Sequence, residues 1–166
     1  MFSASANILS LLTSIAYLVG ASSGTRDATY PLGTIDSGTA VAREATPTLP
    51  FTHIKNIAEL DARIAAANGK PVMLYYYADW CASCKDMERS TFSDPRVQAR
   101  LKNAVLLQAD VTAQSNDDRA LLTRYHLFGP PATLFFTPQG HEQSDLRIVG
   151  YQDADRFLQS LQQAGL

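Results

Sequence analysis

Apolar and polar positions fall in blocks along this chain, and each block predicts a different kind of structure. From Ile8 to Ala21 the residues are almost all apolar, with only Ser10, Thr13, Ser14 and Tyr17 breaking the run, and no charged residue precedes Arg26. With its Ser- and Ala-rich flanks the run reaches the roughly 20 residues a spanning helix needs. Residues 1–24 are therefore expected to be a membrane helix or the tail end of one. A cleaved signal peptide is the rival reading, with Ala21-Ser22-Ser23 as cleavage residues, but no Lys or Arg precedes the apolar run. Residues 25–50 show no periodicity and are dominated by Gly, Pro, Ser, Thr and Ala. Such a segment cannot bury enough apolar surface to offset its ordering entropy, so a flexible linker is expected there.

From Phe51 onward the pattern becomes that of a folded domain, residues 51–166. Asn56 followed by Glu59 reads as a helix start, with Ile57, Leu60 and Ile64 on one face and Gly69 and Pro71 as the stop. Val72 to Tyr77 is a continuous apolar and aromatic run, expected as a strand buried on both faces. A helix opens at Cys81, and Asp94-Pro95 opens another carrying Val97 and Leu101. Val105–Val111 predicts a second strand, and Leu121, Leu122 and Tyr125 mark a helix. Ala132–Phe136 predicts a third strand, followed by the turn Thr137–Gly140 and a fourth strand over Leu146–Tyr151. Asp153 caps a final helix with Phe157, Leu158 and Leu161. Strands alternating with helices predict an α/β fold, and the hairpin-like spacing of the last two strands predicts a mixed sheet.

Composition narrows the function classes. The 166 residues carry a net charge of -2, so no basic field points to nucleic acid. Two cysteines are too few for a disulfide-stapled scaffold or a four-cysteine zinc site. Those two, Cys81 and Cys84, are separated by two residues, after a buried strand and at a helix start. Residues three apart on a helix share a face, which brings the sulfurs within disulfide reach. The helix N-terminus favours the thiolate, the form that attacks a disulfide. Cys81, at the exposed tip, is the expected nucleophile, and Cys84, a turn deeper, the resolving thiol. Half a zinc site completed by His53, His126 or His141 is a competing reading, but no histidine stands in paired ligand spacing. A pair of inert structural cysteines is another. Pro130-Pro131 opens the third strand: either an edge or turn proline, or a cis X-Pro bond.

The stretches YADWCASCK (77–85) with Glu88, TFSDPRVQ (91–98), VLLQADVT (105–112) and FGPPATLFF (128–136) resemble the C-terminal periplasmic thioredoxin-like domain of the DsbD family of thiol:disulfide interchange proteins. The resemblance covers about residues 49–161. The run Leu18–Gly24 is similar to the end of that family's last transmembrane helix. What this implies is a thioredoxin fold, a central mixed β-sheet flanked by helices, with an N-terminal extension. It also implies a protein-disulfide reductase needing no metal or organic cofactor, because the dithiol carries the electrons. The donor would be a membrane-embedded domain, and the acceptors the N-terminal periplasmic domain or other periplasmic disulfide proteins. The location would be the bacterial inner membrane, reached through residues 1–24, with the folded domain in the periplasm. By the same resemblance Cys81 is the attacking cysteine, Cys84 its partner, Pro131 the cis-proline, and Glu88 the acidic residue that holds the attacking thiol's pKa up.

Two positions depart from the family pattern. Tyr75 stands six residues before Cys81, where much of the family has a buried Asp. A tyrosine is neutral at pH 7 and neither repels a thiolate nor shuttles a proton as a carboxylate does, so the tuning is expected to fall on Glu88. Pro130 has no N–H with which to grip a partner strand, leaving only its carbonyl. Trp80 is expected at the rim of the disulfide, where with Pro130 it would meet the substrate. Two rival functions remain: a stand-alone membrane-anchored reductase or oxidase of cytochrome c maturation, and a redox-inactive binding module on the same fold.

Overall fold

The computed structural model describes residues 49–166. The expectations for residues 1–24 and for nearly all of the linker lie outside the described residues. Among the described residues, no helix is long and apolar enough to cross a membrane.

Five strands form one sheet: β1 (Thr52–Ile54), β2 (Val72–Tyr77), β3 (Val105–Asp110), β4 (Ala132–Phe136) and β5 (Ile148–Val149), in the order β1-β3-β2-β4-β5. β3 runs parallel to β1 and to β2, whereas β4 is antiparallel to β2 and β5 antiparallel to β4. The sheet is mixed, as the hairpin spacing predicts. The helices are α1 (Ile57–Ala65), α2 (Ala82–Asp86), α3 (Pro95–Leu101), α4 (Asn116–Arg124) and α5 (Ala154–Gln163).

β2 lies at the centre because its sequence is apolar on both sides. Leu74 is flanked in register by Leu107 and Leu134, and none of the three is exposed. Alternate residues of β2 face opposite layers. On one face Tyr75 packs edge-on against Phe92, centroids 4.9 Å apart, and Phe92 against Phe157 of α5. On the other face the Tyr76 hydroxyl donates to the Leu121 carbonyl of α4 at 3.1 Å. Helices thus cover both faces, which is what a strand with no polar side requires.

The helix starts follow the side chains that can cap them. Asn56, Asp94, Ser115 and Asp153 each accept a backbone N–H of the first turn. Glu59 reaches back to the N–H of Lys55 rather than that of Asn56, so the expected capping box closes one residue early. At Ser115 and Asp118 a full capping box forms.

Two expectations are corrected, and two elements, β1 and a π-turn, were not expected. β1 escaped notice because three residues, one of them buried, carry too short a pattern. α1 ends at Ala65, ahead of Gly69, since Asn68 and Gly69 take positive φ in the turn that follows. The fourth strand shrinks to Ile148–Val149: Ser144–Leu146 winds into a 3-10 turn, and the Arg147 side chain bonds Glu142 and the Tyr125 carbonyl. Beyond α2 the helix widens into a π-turn, Met87–Thr91, which nothing in the periodicity signals.

Candidate active site

Cys81 and Cys84 form a disulfide, with S–S 2.07 Å and Cα–Cα 5.3 Å. The end of β2 delivers them: the chain leaves the sheet at Tyr77, turns through Ala78–Trp80, and enters α2 with Cys81 as N-cap. The N–H of Cys84 donates to the Cys81 sulfur at 3.1 Å. That donor would equally serve a Cys81 thiolate, so the helix start favours the nucleophilic form. The expected exposed tip is corrected. Cys81 is only 6% exposed and Cys84 not at all, so of the two residues only Cys81 reaches the surface, and narrowly.

The Pro130–Pro131 peptide bond is cis, which resolves the alternative the sequence left open. The Pro131 carbonyl accepts the N–H of Gly150 at 2.9 Å. Gly150 holds φ at +96°, a conformation that favours glycine, and so ties the end of β5 to the proline loop. Trp80 is 54% exposed and its ring N–H donates to the Thr112 carbonyl. Trp80, Phe128, Gly129 and Pro130 line a cleft of about 240 Å³, and the Phe128 side chain is fully exposed at its mouth. Both expected substrate-contact residues, Trp80 and Pro130, therefore share one concave surface.

A second, wider crevice of about 410 Å³ includes Glu88, Asp79, Tyr77, Gln108, Asp110 and His53 in its walls. Partial burial and the neighbouring Asp79 push the Glu88 carboxyl above the ordinary glutamate range, with Lys85 opposing them. The Tyr77 hydroxyl, bonded to Asp79 at 2.9 Å, is pushed up to about 12, chiefly by desolvation. Asp79 is held in turn by Thr112, whose hydroxyl accepts the Asp79 N–H at 2.8 Å and itself bonds Asp110. Tyr77 is a local partner of Asp79, but Thr112 lies thirty-three positions away on the exit of β3, a separation no local pattern reveals.

Tyr75 is fully buried, and its hydroxyl donates to the Cys84 carbonyl at 3.4 Å. Burial, with Glu88 and Tyr77 nearby, drives its ionisation far upward, so it stays neutral beneath the disulfide. The expectation that no charge occupies this position is met. Among the described residues no cluster of His, Cys, Asp or Glu is arranged to hold a metal, and His53, His126 and His141 are not gathered around the cysteines.

A family model described as a thioredoxin-like domain matches residues 58–165. The C-terminal domain of Neisseria meningitidis DsbD, in its oxidised form, superposes with a TM-score of 0.59 at 34% identity over 68% of this chain and 99% of that one. The chain belongs to the thioredoxin-like family, among the DsbD C-terminal domains. A thioredoxin from Thermus thermophilus superposes less closely, with a TM-score of 0.55 at 27% identity over 70% of this chain and 88% of that one. The thiol:disulfide interchange protein DsbD of Ralstonia nicotianae is 50% identical over 155 residues, covering 92% of this chain and 25% of that protein. DsbD 1 of Pseudomonas aeruginosa is 43% identical over 159 residues, 95% of this chain and 27% of its own length. The chain thus spans about a quarter of the length of these DsbD relatives. Both relatives are named as thiol:disulfide interchange proteins.

Proposed function

We propose that this chain is a protein-disulfide reductase that passes electrons by dithiol–disulfide exchange from a membrane-embedded donor to periplasmic disulfide partners. The observation that carries the reading is the Cys81–Cys84 pair at a helix start, Cys81 slightly exposed and Cys84 fully buried, beside a cis-proline loop. In the reduced form, the Cys81 thiolate attacks one sulfur of a partner disulfide. An S–S bond forms between Cys81 and the partner, and the partner's second sulfur leaves as a thiolate that takes up a proton. The Cys84 thiolate then attacks the Cys81 sulfur, closing the internal disulfide and releasing the partner's first sulfur, which is protonated in turn. Two electrons move to the partner, and both reside in the dithiol, so the reaction calls for no metal or organic cofactor.

The supporting residues take the following roles. Glu88, at the crevice edge, resists a second negative charge nearby and so holds the Cys81 thiol up. Pro131 shapes the floor on which a partner disulfide is presented. Trp80 and Pro130 contact the partner chain, with Pro130 offering only its carbonyl. The relatives named DsbD support a bacterial inner-membrane setting with this domain in the periplasm, residues 1–24 as the membrane segment, and the N-terminal periplasmic domain as acceptor.

The test is transfer itself. The reduced chain, mixed with an oxidised DsbD N-terminal domain, should yield two new partner thiols per chain consumed, and Cys81→Ser should yield none. A reduction potential near that of a strong oxidant, about −120 mV, would contradict the reductase direction. Capture of the partner with no transfer, in the parent chain and in Cys81→Ser alike, would point to a binding module.

A further inference from the structure

The segment just after the redox helix is wound in an unusual way, and its winding has an identifiable anchor. Cys84 and Met87 face inward at ordinary helical spacing, and neither is exposed. The next inward positions are Thr91 and Phe92, two neighbours in sequence, both buried. Over these positions the backbone widens: the Phe92 N–H donates to the Met87 carbonyl five residues back, at 2.8 Å, across the π-turn Met87–Thr91. The Ser90 hydroxyl bonds the Asp86 carbonyl and the Ser93 hydroxyl the Arg89 carbonyl, each at 2.6 Å. Phe92 is locked among Tyr75, Phe51 and Phe157, and the other end is fixed by the disulfide. What ties the inner side of the turn to the neighbouring layer is Thr91. Its hydroxyl donates to the Gln152 carbonyl at 2.6 Å, flanked by the Ser90–Tyr151 hydroxyl pair at 3.2 Å.

Glu88 sits in that turn. We propose that Thr91 is a positioning residue for the redox site, its bond to the Gln152 carbonyl holding the π-turn in the winding that keeps Glu88 in the crevice beside the cysteines. The proposal deepens the exchange reading above, in which Glu88 tunes Cys81. The groups around Glu88 that share its electrostatics are Asp79, Tyr77 and Tyr75 from β2 and its exit, Asp110 and His53 across the crevice, and Lys85 on its own helix. Without the Thr91 hydroxyl the turn can relax toward α-winding, and Glu88 rotates toward water.

The test titrates the Glu88 carboxyl by carbon NMR in the oxidised full chain, and the Cys81 alkylation rate against pH in the reduced chain. Thr91→Val removes the hydroxyl at nearly constant shape, Thr91→Ser keeps it, and Thr91→Ala serves if valine is not accommodated. The expected result is a downward shift of the Glu88 titration to that of an exposed glutamate in Thr91→Val or Thr91→Ala, with Thr91→Ser unshifted. An unshifted Glu88 in a folded Thr91→Val or Thr91→Ala chain overturns the proposal. If Glu88 shifts while the Cys81 profile does not, the positioning role stands and the tuning role given to Glu88 fails.

Discussion

Tyr75 is the residue at which this site departs most from a charge-tuned thioredoxin. It places a neutral hydroxyl, 3.4 Å from the Cys84 carbonyl, where a buried carboxylate would repel a thiolate. Tyr75→Asp is expected to raise the Cys81 pKa, seen as a shift of the thiolate absorbance titration to higher pH; no shift or a fall would reject it. In the proposed mechanism the remaining tuning falls on Glu88. Its carboxyl binds a proton more tightly in the folded chain than in the unfolded one, so the folded state loses stability as pH rises from the ordinary glutamate range through the raised folded value. Glu88→Gln should therefore be more stable than the parent above that window, with the gain vanishing below it, as urea unfolding at several pH values would show. The cysteines were legible from spacing because their geometry is local, three residues on one helix. The cis bond at Pro131 was one of two alternatives the residues themselves left open, whereas a role for Glu88 came only from likeness to the family. The Asp79–Thr112 contact and the Thr91–Gln152 bond were not legible, because the fold and not the chain brings those atoms together, and the Tyr75–Cys84 bond was not, because it depends on the turn between β2 and α2.

At the scale of elements, the long apolar strands and the capped helices were readable, and the short or irregular pieces were not. β2 announces itself because six successive residues suit a doubly covered strand. Its centre is also where truncation costs most: Leu74, unexposed between Leu107 and Leu134, should lose about 2–5 kcal/mol on Leu74→Ala by denaturant unfolding. α4 depends on its capping box, and Ser115→Ala should cost about 1 kcal/mol. β1, with three residues, and β5, with two, owe their existence to partners already in place. β1 adds to the edge of β3, and β5 to the edge of β4 beside the cis-proline. Their own sequences are too short to carry a periodic signal. The π-turn is likewise absent from the sequence pattern, since the buried positions Cys84, Met87, Thr91 and Phe92 also fit an ordinary α-helix.

Across the whole domain, one sheet end gathers everything the exchange needs. The exit of β2 supplies the cysteines, the entry of β4 the cis-proline, and the end of β5 the glycine that ties the loops together. The cleft by Trp80 and Phe128, which Asp118 and Arg119 also wall, and the crevice lined by Glu88, Asp79 and Asp110 are two unlike surfaces of the domain. The central claim is that Cys81 alone meets the partner and Cys84 alone resolves. The most direct measurement is mass-spectrometric mapping of the mixed disulfide trapped with an oxidised DsbD N-terminal domain by Cys84→Ser and by Cys81→Ser. The account predicts a stable adduct through Cys81 in the first variant and none in the second. An adduct through Cys84, or none in either variant, would contradict it.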